Sequence, residues 1–271
     1  MNEVVGEPRP PLARILGLCI QLFIIFGLEK VYEVSRGIVP RQSDVAKQNG
    51  LAVVNLEKTL HIFDEWRLQH FVLTPKHWYL GPVTLDRDVI ISVINHFYLY
   101  SHFISTLVFL GWLYMFRRRS FAFVRTVLII TSALALIVYI LFPMMPPRLL
   151  GSHAMGLYHY KFQDTIALVL NYKLQQTHLT YNPYAAMPSL HFAWALILGV
   201  TLVLIGRHWP LRVVGVLYPF MMLATILISG NHLLLDAVGS VLVVAVAVPI
   251  AVTLHRRLAP PVAAPSEALA A

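Results

Sequence analysis

The sequence predicts an all-α polytopic membrane protein with six transmembrane helices and interfacial helices on the extracytoplasmic side. Three observations carry this. The 271 residues are 58% hydrophobic and only 13% charged, about half the charge of an ordinary soluble chain. Five long runs hold almost no Asp, Glu, Lys or Arg. The basic residues that make up most of the +8 formal charge collect in short segments between alternate runs, as cytoplasmic loops do. The single cysteine, Cys19, excludes an internal disulfide. The length suits one transmembrane domain over 1–258, with 259–271, APPVAAPSEALAA, as a disordered tail.

Residues 15–28 form the first span, an uncleaved anchor behind Arg9 and Arg14; no small-residue cleavage site follows. Residues 30–86 are mixed, and LAVVNLEKTLHIFDEW (51–66) places apolar residues at near-helical spacing with charges between them, which predicts interfacial helices. The remaining spans are expected at 89–116, 126–145, 188–205, 213–229 and 233–254, the last interrupted only by Asp236. About 20 residues cross about 30 Å of hydrocarbon, so each fits with some tilt. RRRSFAFVR (117–125), GRHWPLR (206–212), HRR (255–257) and the N-terminal arginines then share one side, which places both termini in the cytoplasm. Trp78, Tyr98, Trp112 and Trp209 read as interfacial belt or packing residues.

Three segments carry the chemistry. In AAMPSLHFAW (185–194), Pro188 suits a first helical position, with Ser189 and His191 in the first turn. A helix N-terminus offers unpaired N–H groups and a positive dipole end to an anion. In SGNHLLLDAVGS (229–240), His232 and Asp236 lie four apart on one helical face. A carboxylate inside an apolar span costs at least a few kcal/mol, so Asp236 is expected to have a partner and a task. Accepting from one imidazole N–H fixes the tautomer and leaves the other nitrogen as nucleophile or base. In LFPMMPPRLL (141–150), Arg148 offers a guanidinium suited to bidentate phosphate binding. In the six-span arrangement all of these fall on the extracytoplasmic edge. Softer substrate-binding candidates are Gly230 and Asn231, at the entry to the last span; His96, inside the second span beside Asn95 and His102; Asp164, in KFQDTIALVL; and Ser189.

MPPR, AAMPSLH and GNHLLLD, in that order on successive spans, resemble the type-2 phosphatidic acid phosphatase superfamily, and most closely its inositol-phosphorylceramide-synthase-like branch. The resemblance covers about residues 90–255. It implies a six-helix fold and a metal-free mechanism without a cofactor. It also implies that His232 attacks phosphorus, Asp236 orients it and His191 protonates the leaving oxygen. The chain departs from the phosphatase pattern. Leu141 stands where that pattern has a lysine, Leu149 follows Arg148, Thr225 and Ile226 replace a Ser-Arg pair, and the second motif reads PSLH. Two phosphate-binding cations are thereby missing, which suits a phosphodiester monoanion better than a phosphomonoester near dianion.

The expected activity is transfer of a phosphodiester headgroup from a phospholipid to a lipid alcohol through a phosphohistidine; the branch resemblance makes inositol phosphate one such headgroup. The same site with water as acceptor would be a lipid-phosphate or polyprenyl-diphosphate phosphatase. A proton-coupled transporter is the alternative of another class, although the polar groups gather at one edge and no inverted repeat is visible. No HExxH motif points to a metal, and no motif points to nucleic acid. The composition suits a bacterial plasma membrane.

Overall fold

The structure, a computed structural model, is described over residues 43–151, 157–169 and 184–258 and at six positions between 16 and 27. The expected anchor at 15–28 lies largely outside these residues, as does the tail at 259–271. In chain order the elements are helices α1 (Ser43–Thr59) and α2 (Glu65–Leu73), a hairpin of β1 (His77–Leu80) and β2 (Val83–Asp86), and then α3 (Arg87–Phe116), α4 (Arg118–Leu141), α5 (Pro147–Leu150), α6 (Thr165–Val169), α7 (Leu190–Ile205), α8 (Trp209–Ile228) and α9 (Leu234–Leu258).

Four of these, α3, α4, α8 and α9, are long and apolar enough to cross a membrane. The fifth apolar helix, α7, has 16 residues, about 24 Å at 1.5 Å per residue. The boundaries shift from those expected in one instructive place. Helix α4 starts at Arg118, eight residues before the uncharged run, because its basic first turns are still helical; it ends at Leu141, ahead of Pro143. The segment before α3 also departs from expectation, because a two-stranded antiparallel hairpin turns at Gly81-Pro82, with His77 opposite Asp86, where only helices were read.

The bundle is built on α7. It packs along α8, and both α4 and α9 lie against it. A Cβ on Gly215 would meet the Gly199 carbonyl at 2.7 Å, so the α7–α8 pair approaches closely because both residues lack side chains. One apolar cluster, with Leu110, Leu113, Phe121, Val124, Trp194, Ile197, Leu198, Ala247 and Ala251, joins α3, α4, α7 and α9. Large apolar side chains such as Ile104, Val108, Ile137, Leu204, Phe220 and Leu242 stay exposed on the outside. A bundle that is apolar both within and without is the pattern of a membrane protein.

The short elements close one end of the bundle. Helix α1 buries Ala46, Gly50, Val53, Val54 and Glu57, a stripe at helical spacing. It meets α5 and the start of α9, and its Ala46 carbonyl accepts from Met145 N at 3.0 Å. Helix α2 packs on α8, and α6 packs on the start of α3. Because the helices alternate in direction, Arg117–Arg119, Arg212, Arg256 and Arg257 fall at the opposite end. There His255 Nε2 lies 3.1 Å from Thr126 Oγ1.

Candidate active site

Four helix ends meet under this cover: the end of α4 running into α5, the start of α7, the end of α8 and the start of α9. Ser189 is the N-cap of α7; its backbone is extended (φ −76°, ψ 108°), and its Oγ accepts from Phe192 N at 3.5 Å. Pro188 therefore precedes the cap and is not the first helical residue. Ser189 is fully buried, and its hydroxyl caps the helix. His191 follows in the first turn.

Between α8 and α9 the chain turns at Gly230, with φ +70°. A side chain here would be strained, and a Cβ would meet Gln69 Nε2 at 3.0 Å and Gln163 O at 3.2 Å. The Gly230 amide is spent on Leu227 O at 3.0 Å, and its carbonyl accepts from Arg148 N at 2.9 Å. That bond fixes α5 against the turn. Two residues on, His232 Nδ1 lies 3.1 Å from Asp236 Oδ2. The same oxygen accepts the Leu233 N–H at 2.9 Å. Asp236 is fully buried and His232 is nearly so. Donation from Nδ1–H to this carboxylate leaves the imidazole lone pair on Nε2.

The His191 and His232 rings face each other with centroids 6.2 Å apart and planes at 55°. His191 is held from two sides. Tyr98 stacks on it at 4.1 Å and 19°, and His102 meets it edge-on at 4.1 Å. Tyr98 is therefore no belt residue. It lies in a π turn, Phe97–Ser101, inside α3, a local widening often found at functional sites.

Arg148 is buried beside this pair. Its Nε donates to Asn231 Oδ1 at 2.9 Å, and its Nη1 to Asp164 Oδ2 at 2.6 Å. Asn231 Nδ2 in turn donates to Ser229 Oγ at 2.8 Å. Both ends of the Asn231 amide are thus occupied, and the side chain orients the guanidinium. Asp164 also accepts from Ala167 N at 3.1 Å, so the loop carrying it is tied down at the mouth of α6.

Of the residues singled out from sequence, the fold brings together Arg148, His191, His232, Asp236, Asn231, Gly230, Ser189 and Asp164. His96 is not brought in. It is exposed, with Nδ1 at 2.7 Å from the Ser92 carbonyl of its own helix, whereas Asn95 is buried and donates to Thr165 O at 2.6 Å. Adjacent helical positions point about 100° apart, so Asn95 and His96 do not share a face.

Three inward polar residues were not singled out. Gln69 is buried, donating to Gln163 O and Ile228 O at 3.0 and 2.9 Å and accepting from Gln163 N at 2.8 Å. Glu57 and Glu65 accept from the first amides of α9, Glu57 Oε1 from Leu235 N at 2.7 Å and Glu65 Oε1 from Leu234 N at 2.9 Å. Burial pushes both carboxyls up from their ordinary range; the neighbouring Glu65 and Asp236 charges push Glu57 further, to about 9, and Asp236 also pushes Glu65 up. Their signal was available. Glu57 continues the stripe Ala46-Gly50-Val53, and Glu65 and Gln69 precede Leu73 at four-residue steps.

The site thus gathers a carboxylate-backed imidazole, a second histidine and a buried guanidinium at one end of a helical membrane protein. Residues 51–250 match the PAP2 superfamily, and the chain belongs to it. Membership points to phosphatase or phosphotransferase activity on lipid-like substrates. No curated protein and no solved structure matches the chain.

Proposed function

We propose that this protein transfers a phosphodiester headgroup from a phospholipid to a lipid alcohol, in two displacements through His232. The observation that supports the reading best is the His232–Asp236 pair at 3.1 Å with the His191 ring 6.2 Å away, a gap that accommodates a phosphorus centre between the two rings. In the first displacement Nε2 of His232 attacks phosphorus, the N–P bond forms, and the P–O bond to the lipid breaks. Protonated His191 delivers its proton to that leaving oxygen. Asp236 balances the positive ring that results, and Arg148 pairs with the non-bridging oxygens. In the second displacement the acceptor hydroxyl gives its proton to His191, its oxygen attacks phosphorus, and the N–P bond breaks, which regenerates both histidines.

Charge supports a monoanionic substrate. Arg148, the cation at the site among the described residues, already faces the Asp164 carboxylate at 2.6 Å, so the local field is weaker than an unpaired guanidinium would give. A phosphodiester needs less compensation than a phosphomonoester near its dianionic state. The basic residues at the far end of the bundle favour an extracytoplasmic site under the positive-inside rule, with α1 and α2 at the interface and the segment at 15–28 as a sixth span.

Family membership favours a second reading, in which water accepts the phosphoryl group and the protein is a lipid phosphatase. The experiment that tests both uses purified protein, a panel of headgroup-labelled phospholipids that includes phosphatidylinositol and phosphatidic acid, and a lipid alcohol present or absent. Label appearing on the alcohol supports transfer. Release of inorganic phosphate from phosphatidic acid, with phosphatidylinositol untouched, refutes it in favour of the phosphatase.

A further inference from the structure

The two displacements leave two buried acids unused. Glu57 is 0% and Glu65 3% exposed, on two different short helices, and both end on the first turn of α9. The orphan N–H groups of that turn are shared among three carboxyls: Leu233 N goes to Asp236, Leu234 N to Glu65 and Leu235 N to Glu57. A helix N-terminus attracts negative charge, but three adjacent carboxylates would repel one another. Glu57 and Glu65 end on neighbouring amides of that turn, and their second oxygens, Oε2 of both, are buried and meet no hydrogen-bond partner among the described residues. Two carboxyls can bond to each other only by holding a proton between them.

We propose that Glu57 and Glu65 form a proton-sharing clamp on the start of α9, and that this clamp positions Asp236 against His232. This deepens the proposed function, since it rests on His232 and Asp236 being the nucleophile and its orienting group. The clamp leaves Asp236 with one backbone donor, Leu233 N. Without it, Leu234 N and Leu235 N lose their acceptors, and the nearest remaining carboxylate, Asp236, is drawn from the imidazole. The shared proton is what lets two acids sit there beside Asp236. The ionisable groups acting on the pair are the two carboxyls themselves and Asp236; Lys58, next in the chain to Glu57, lies over the Phe63 and Tyr160 rings instead. The clamp proton is lost as pH rises through about 9, and two facing carboxylates then separate.

The test uses the full chain purified in detergent, with kcat and KM measured on the phospholipid that the wild type turns over, from about pH 6 to about pH 10. Displacing a reacting group by about 1 Å costs about a hundredfold. Glu57→Ala is therefore expected to lower kcat about ten- to hundredfold with KM changed by less than about twofold. Glu57→Gln keeps an oxygen for Leu235 N and presents an N–H to Glu65 in place of the shared proton, so it should recover most of that loss. The ratio of its kcat to the wild-type kcat, in which every other titration cancels, should stay level to about pH 8 and climb above it. A Glu57→Ala kcat within about twofold of wild type, or a flat ratio, overturns the clamp. If Glu57→Ala does not fold, the ratio alone decides. His232→Ala separates the two layers: if it retains turnover, the proposed function fails; if it is inactive while the ratio is flat, only the clamp fails.

Discussion

Replacing Asp236 with asparagine removes one charge and almost no volume. In the native site Oδ2 accepts from His232 Nδ1 at 3.1 Å and from Leu233 N at 2.9 Å, while Oδ1 is buried without a hydrogen-bond partner among the described residues. An Asn side chain has two ways to sit. Its oxygen can keep both donors, and then the positive ring formed when Nε2 bonds to phosphorus has no counter-charge in a buried site. Alternatively its NH2 turns toward Nδ1, which forces the ring proton onto Nε2, removes the attacking lone pair and orphans Leu233 N. A mere lost hydrogen bond costs about 0.5–1.5 kcal/mol, or about tenfold at most. Loss of the orienting charge in a triad of this logic costs about 10⁴, which at about 1.36 kcal/mol per decade is about 5.4 kcal/mol. The two accounts differ by about a thousandfold, so one measurement separates them. Initial rates of labelled headgroup release should fall about 10⁴-fold for Asp236→Asn, at an unchanged elution volume and with thermal unfolding close to wild type. A well-folded variant within about tenfold of wild type would refute the assignment of Asp236 as the group that holds and charges the nucleophile.

The other expectations are briefer. His191→Ala should nearly abolish turnover of a substrate with a poor alkoxide leaving group, yet largely spare a nitrophenyl phosphodiester, whose leaving group needs no proton; equal loss on both would argue against the acid role. Arg148→Lys should lower activity by about a hundredfold or more, because the fork that reaches Asn231 and Asp164 at 2.9 and 2.6 Å becomes a point charge; wild-type rates would remove Arg148 from phosphate binding. Turnover should persist after dialysis against EDTA, since the proposed steps use side chains only. Stability should fall with alkali. Glu57 has its folded-state value raised from 4.5 to about 9, so its stabilising contribution is complete below about pH 4.5 and is lost as pH rises toward 9. Thermal unfolding in detergent should show Tm declining across that window in the wild type and a flatter profile in Glu57→Gln.

Much of the fold was legible because the membrane imposes it. Charge-free runs of this length leave few alternatives to helices, and the runs at 89–116, 188–205 and 213–229 match α3, α7 and α8 to within a few residues. The segment before α3 was less legible. Its hairpin carries no strict alternation, and its only punctuation is Gly81-Pro82. At the site, four-residue spacing foretold the His232–Asp236 pair, but His232 precedes α9, which starts at Leu234, so the turn after Gly230 and not helix geometry alone brings the two side chains together. The same spacing left His96 undecided: a histidine in an apolar helix looks equally functional on any face until neighbours define which face is inward.

Sequence by itself therefore determined the membrane class, the helices, and the three segments that hold Arg148, His191, His232 and Asp236, because those follow from local composition and short-range periodicity. Tertiary structure alone decided the rest. It set the two imidazoles 6.2 Å apart, stacked Tyr98 on one of them, joined Asn231 to Arg148, and brought Glu57 and Glu65 from separate helices to one helix end. Those contacts join residues up to 178 positions apart in the chain. What a buried polar side chain does depends on which donor or charge arrives opposite it, and that is fixed only when the bundle closes.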